Sequence, residues 1–299
     1  MTYPRPLSDK NLEKKYEEAH ITDEMSAFLH EFFSSCANLY GAIAIEDMWQ
    51  IYRDLREHFP EVRKNHFAAF VSIVRREVQP YRVYRHDELY GKDENDISGD
   101  WLLHKDLTGE GSRRFVPFFD LLKARGNRPY YVPDDLMGYA QGGYSENDRS
   151  FLEYLSCIVS MKDFNDCGVP NVNKGKMLGE FSRLNVSERY KIDRIRDRDA
   201  QFAAIREKTR LCAAEKILKD IILVNNIGLI PPSFHLIRIL SDLSDAWVYT
   251  DELQRKELRK VFADHYNHSR LWCLAGWTPA ELNLTCKRMH EAIEFGLRS

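Results

Sequence analysis

The sequence predicts a mainly α-helical protein in two parts: a winged-helix-like N-terminal half with a small β-hairpin, then an α-helical C-terminal half. Three observations carry this. Apolar residues recur every three and four positions through most of the chain, the period of a helix with one buried face. Two short alternating runs, Tyr81 to Tyr84 and Trp101 to His104, flank a polar tip as hairpin strands do. A stretch over 126–147, rich in Gly, Pro, Tyr and Asp, separates the halves, so domains over 1–128 and 129–299 are expected. With 299 residues, 43% hydrophobic and 30% charged, the chain has the length and composition for two buried cores.

The elements follow in order. Ser8 or Asp9 opens a short charged helix running to about His20. A stronger helix from Asp23 to about Tyr40 carries Met25, Phe28, Leu29, Phe32, Phe33 and Cys36 as one stripe, and Gly41 stops it. A β-like run, Ala42 to Ile45, leads into a helix with Met48, Trp49, Ile51, Tyr52 and Leu55, which Pro60 ends near Phe59. The next helix is expected from Glu61 to Val78, closed by Pro80. Helix, strand, helix, turn, helix, strand, tip, strand is the order of a winged helix.

Beyond it, Val116 to Ala124 forms a short helix, and Ser145 with Asp148 starts another. A loop from Asp163 to Gly179 follows. The regular segment from Ser187 to Val224 would span roughly 57 Å if unbroken. Helices around Phe234 to Trp247 and after Thr250 complete the half. In the last helix Thr278 is the N-cap, Pro279 the first helical residue and Glu281 the partner that makes a capping box. Trp277 and Leu282 staple it, and Leu282, Cys286, Met289 and Ile293 make its buried stripe.

Composition excludes several classes of function. The net charge of −3 leaves no globally basic coat for nucleic acid, although a local basic face is compatible with it. The N-terminus has no apolar segment of the signal-peptide kind, and no apolar run approaches the roughly 20 residues of a membrane span. Six cysteines, at 36, 157, 167, 212, 273 and 286, lie at least ten positions apart, without zinc-type pairs. They read as reduced core thiols of a cytoplasmic protein. No catalytic motif is present, so neither catalytic residues, nor a metal, nor a cofactor is expected. Dispersed carboxylates meeting in space, as in a metal-dependent hydrolase, form a third reading.

The helix over 61–78 holds the first candidate site. On a wheel, Phe67, Phe70, Val71, Val74 and Val78 share one side, and Lys64, Asn65, Ala68, Ser72 and Arg75 the other, with Arg76 on its flank. Small residues in the middle and cations at both ends suit a recognition helix entering a major groove. The expected nucleic-acid-binding residues are Lys64, Asn65, Ser72, Arg75 and Arg76, and the plainer reading is a solvated face. Against DNA stands the tip over 87–100, with six acidic residues and one lysine. Asp87, Glu88, Asp93, Glu94 and Asp96 there are the expected partner-binding residues of the alternative, a protein-interaction module or inhibitor. His265, His268 and Asp264 read as a packed or exposed pair rather than a zinc site. Thr108 to Arg114 reads as a turn rather than an anion nest. The alternating charges from Lys191 to Arg210 read as a solvated, ion-paired helix.

The segment Arg270-Leu271-Trp272-Cys273-Leu274-Ala275-Gly276-Trp277-Thr278-Pro279-Ala280-Glu281-Leu282 resembles one in a loosely described group of bacterial proteins. These share an Arg-x-Trp-x-Leu-x-Gly-x-Thr-Pro-x-Glu-Leu pattern, and many end in a cysteine-rich SEC-C zinc tail. Here Ile293 is followed by Glu-Phe-Gly-Leu-Arg-Ser, so no zinc function carries over. The resemblance implies a bacterial or phage origin and no particular activity. The favoured reading is a regulatory binding protein that contacts nucleic acid through 61–78 and uses its C-terminal helices either to form homo-oligomers or to sense a partner.

Overall fold

A computed structural model describes residues 3–89, 99–109, 114–157, 186–228, 232–245 and 252–282. It is mainly helical with a three-stranded antiparallel sheet. The chain divides into two compact units. The first comprises Met1–Gly143, Asn225–Leu229 and Arg270–Asn283, and the second comprises Tyr144–Val224, Ile230–Ser269 and Leu284–Ser299. Residues 129–143 and 270–283, placed by composition with the C-terminal half, thus belong to the first unit.

In the first unit, α1 (Asp9–Glu18) precedes α2 (Asp23–Tyr40), whose N-terminus is capped by the Thr22 hydroxyl accepting from the Met25 amide at 3.2 Å. β1 (Ala42–Ala44), α3 (Ile45–Asp54), α4 (Lys64–Val74) and β2 (Tyr81–Tyr84) follow. A four-residue helical turn α5 (His86–Leu89), β3 (Trp101–His104) and α6 (Val116–Arg125) complete the regular elements. β3 is central, paired with β2 through Tyr84↔Trp101 and with β1 through Ala44↔Trp101.

This register decides what each sheet face does. Tyr81, Val83, Leu102 and Ile43 face a core shared with Leu29, Phe32 and Phe33 on α2 and with Phe67 and Phe70 on α4. The opposite face carries Arg82, Tyr84, Trp101 and Leu103, and Trp101 meets Phe118 of α6 edge to face at 5.4 Å. A sheet covered on both faces needs continuous rather than alternating apolar residues, which is what Trp101, Leu102 and Leu103 supply.

The 270–282 segment closes this unit. The Trp272 indole donates to the Asn38 carbonyl at 2.8 Å, and Trp277 donates to the Pro129 carbonyl at 3.0 Å. The expected capping box is present: the Glu281 amide donates to the Thr278 hydroxyl at 3.2 Å, and the Thr278 amide to the Glu281 carboxylate at 2.9 Å. The helix expected beyond it lies outside the described residues.

The second unit contains α7 (Glu146–Cys157), α8 (Val186–Asp193), most of α9 (Arg198–Ile227), α10 (Pro232–Asp245) and α11 (Glu252–His268). Phe151, Leu155, Leu218, Ile239, Leu258 and Phe262 form its core. The regular segment over 187–224 is not unbroken: it falls in two helices. Asp197 breaks it by accepting from the Ala200 amide at 2.9 Å, so it caps α9. Among the described residues no helix is long and apolar enough to cross a membrane.

Candidate nucleic-acid interface

α4 buries Phe67, Phe70, Val71, Ile73 and Val74 against α2 and the sheet. Lys64, Asn65, Ala68 and Ser72 are exposed on its other side, and Arg76 is exposed just past its end. From Lys64 to Ser72 the helical part of the stripe is roughly 12 Å long at helical rise. Ser72 donates to the Ala68 carbonyl at 3.3 Å, so its side chain folds back on the helix and keeps the middle of the stripe low.

The helix is shorter than expected at both ends. The Tyr52 hydroxyl donates to the Pro60 carbonyl and accepts from the Val62 amide, holding 60–62 outside the helix. At the other end Pro80 disfavours helix at Gln79, and the chain turns off after Val74. Two side chains depart from expectation as a result. Val78, expected on the buried side, is 85% exposed. Arg75, expected on the binding face, is buried: its guanidinium donates to the Val83 carbonyl at 2.9 Å and to both carboxylate oxygens of Glu88 at 2.9 Å. A helical wheel places side chains correctly only as far as the helix runs.

Glu88 therefore leaves the acidic tip as well. Burial works against its charge, but the Arg75 hydrogen bonds and the Arg85 amide outweigh it and hold the carboxyl below its usual value. Asp87 is half-buried on α5, while Asp93, Glu94 and Asp96 lie outside the described residues.

A polar cluster fastens α1 and α2 to the segment that follows α4. Tyr16 donates its hydroxyl to Glu77, and the His30 ring lies 3.2 Å from the Tyr16 hydroxyl, 3.3 Å from Glu77 and 3.3 Å from the Tyr81 hydroxyl. Burial lowers the His30 pKa, against the pull of Glu77.

The histidine candidates do not assemble into a site, and the Thr108 to Arg114 candidate lies in part outside the described residues. His265 is buried and sits 2.8 Å from an Asp148 oxygen, whereas His268 is exposed and 3.3 Å from Asp264, so the two histidines serve different partners. Ser269 lies 3.5 Å from the same His265 nitrogen that meets Asp148, an arrangement unlike a nucleophile–base–orienter relay, which uses both ring nitrogens. Among the described residues no group of three His, Cys, Asp or Glu side chains is placed to hold a metal.

Sequence reasoning missed Arg125. It is buried without a carboxylate hydrogen-bond partner among the described residues, and donates to the backbone carbonyls of Tyr40, Ala42 and Trp272. A cation in the last turn of a helix reads as an exposed dipole partner, and nothing local marks it as a core residue. Comparison with family models, with curated proteins and with solved structures found no match.

Proposed function

We propose that the first unit is a winged-helix-like nucleic-acid-binding domain whose α4 enters the major groove of duplex DNA, within a regulatory protein. The observation that carries this is the exposed Lys64, Asn65, Ala68 and Ser72 stripe on a helix fixed by its opposite face, with the exposed Arg76 just past its end. The order α2, β1, α3, α4, β2, β3, with β2 and β3 antiparallel, supports it. Low side chains let the helix approach base edges while Asn65 reads them and the flanking cations take phosphates. The pairing of Glu88 with Arg75 also removes one carboxylate from the tip that opposed this reading.

Salt-dependent binding to a duplex tests it. The double variant Lys64→Glu with Arg76→Glu is expected to lose binding at about 50 mM salt while keeping its fold, because both side chains are exposed. No binding by the wild-type protein under those conditions overturns the reading.

A further inference from the structure

Arg82 and Arg114 flank a tilted aromatic pair, Tyr3 and Tyr84, on the sheet face turned away from the α2–α4 core, and the buried Arg75 also lies 5.5 Å from the Tyr3 ring. The Arg82 guanidinium lies 5.1 Å from the Tyr3 ring, Tyr3 lies 5.0 Å from Tyr84, and the Arg114 guanidinium lies 5.2 Å from Tyr84. Arg114 also lies 5.3 Å from the Phe115 ring and donates one hydrogen bond to the Tyr84 hydroxyl at 2.7 Å. β2 is an edge strand, and Arg82 is exposed on it.

Glu88 is engaged by both nitrogens of Arg75. Asp100 is half-buried, and burial pushes its carboxyl up despite Arg75 and Arg85 nearby. Among the described residues no carboxylate pairs with Arg82 or Arg114. A guanidinium lying over a ring keeps its N–H edge open for a bidentate acceptor, and the ring fixes its orientation before anything binds. Two such groups, one on each side of the Tyr3–Tyr84 pair, can each take a phosphate oxygen.

Resting on the nucleic-acid reading above, we propose that Arg82 and Arg114, oriented by Tyr3 and Tyr84, form a second nucleic-acid contact of the first unit, binding backbone phosphates. The contact positions the DNA and carries no base preference.

The test compares wild type, Arg82→Ala and Asn65→Ala on two labelled duplexes of unrelated sequence, from about 50 to 200 mM salt. Arg82→Ala is expected to weaken binding to both duplexes alike and to make the slope of log affinity against log salt shallower by about 1. Asn65→Ala is expected to leave the slope unchanged. If wild type and Arg82→Ala share one slope, this second contact is overturned while the α4 reading stands, even where the variant melts at lower temperature. If wild type binds neither duplex, both readings fall.

Discussion

Arg125 shows what one side chain does when its partners are carbonyls rather than an acid. Three backbone groups, from Tyr40, Ala42 and Trp272, take its N–H donors inside the first unit. Arg125→Ala is expected to cost about 3–5 kcal/mol in urea unfolding, since it strands buried acceptors. Arg125→Lys is expected to recover little, because an ammonium cannot reach three divergent acceptors. Asp148 gives a pH-dependent case. Burial opposes its charge, but His265 and Ser145 hold its carboxyl below the ordinary value of 3.8. A depressed folded-state value contributes stability that is complete above the unfolded value and is lost as pH falls through the folded one. Asp148→Asn is therefore expected to be less stable than wild type at about pH 7, with the gap narrowing near pH 3. A gap of equal size at both pH values would show that the charge of Asp148 contributes nothing.

At the scale of elements, Gly41 separates two of them and admits a third. Its φ is +69°, and a Cβ there would run into the Trp272 ring. Gly41→Ala is expected to destabilise by about 2 kcal/mol or more, from the left-handed backbone and the clash together. Adding Trp272→Ala removes the clash, so the double variant is expected to be more stable than the sum of the singles predicts. The helical stop at Gly41 is legible in the sequence, and so are the strands of the hairpin and the Thr278 capping box, because each depends on neighbours within a few positions. The ends of α4 are not. Its apolar period runs on to Val78, whereas the turn that redirects Arg75 to Glu88 depends on a contact with another element. Exposure of Lys64, Asn65 and Ser72 follows from the buried phenylalanines of the same helix, which periodicity does reveal.

For the whole molecule, contiguous sequence does not delimit the first unit. Trp272 reaches Asn38 across 234 positions, and composition alone offers no sign of such a partner. A fragment ending at residue 143 is expected to lack a cooperative unfolding transition by circular dichroism, because the Arg125 acceptor on Trp272 and the ring over Gly41 are missing. Cooperative unfolding of that fragment would show the closing segment to be dispensable. The same connection bears on the order of synthesis. Since the segment that seals the first unit is translated about 130 residues after Gly143, a ribosome working at about 5–20 residues per second delays its completion by roughly 7–26 s. A region begun before the second unit is thus completed only after most of that unit has been made, and until then its unsealed face is what a chaperone would meet.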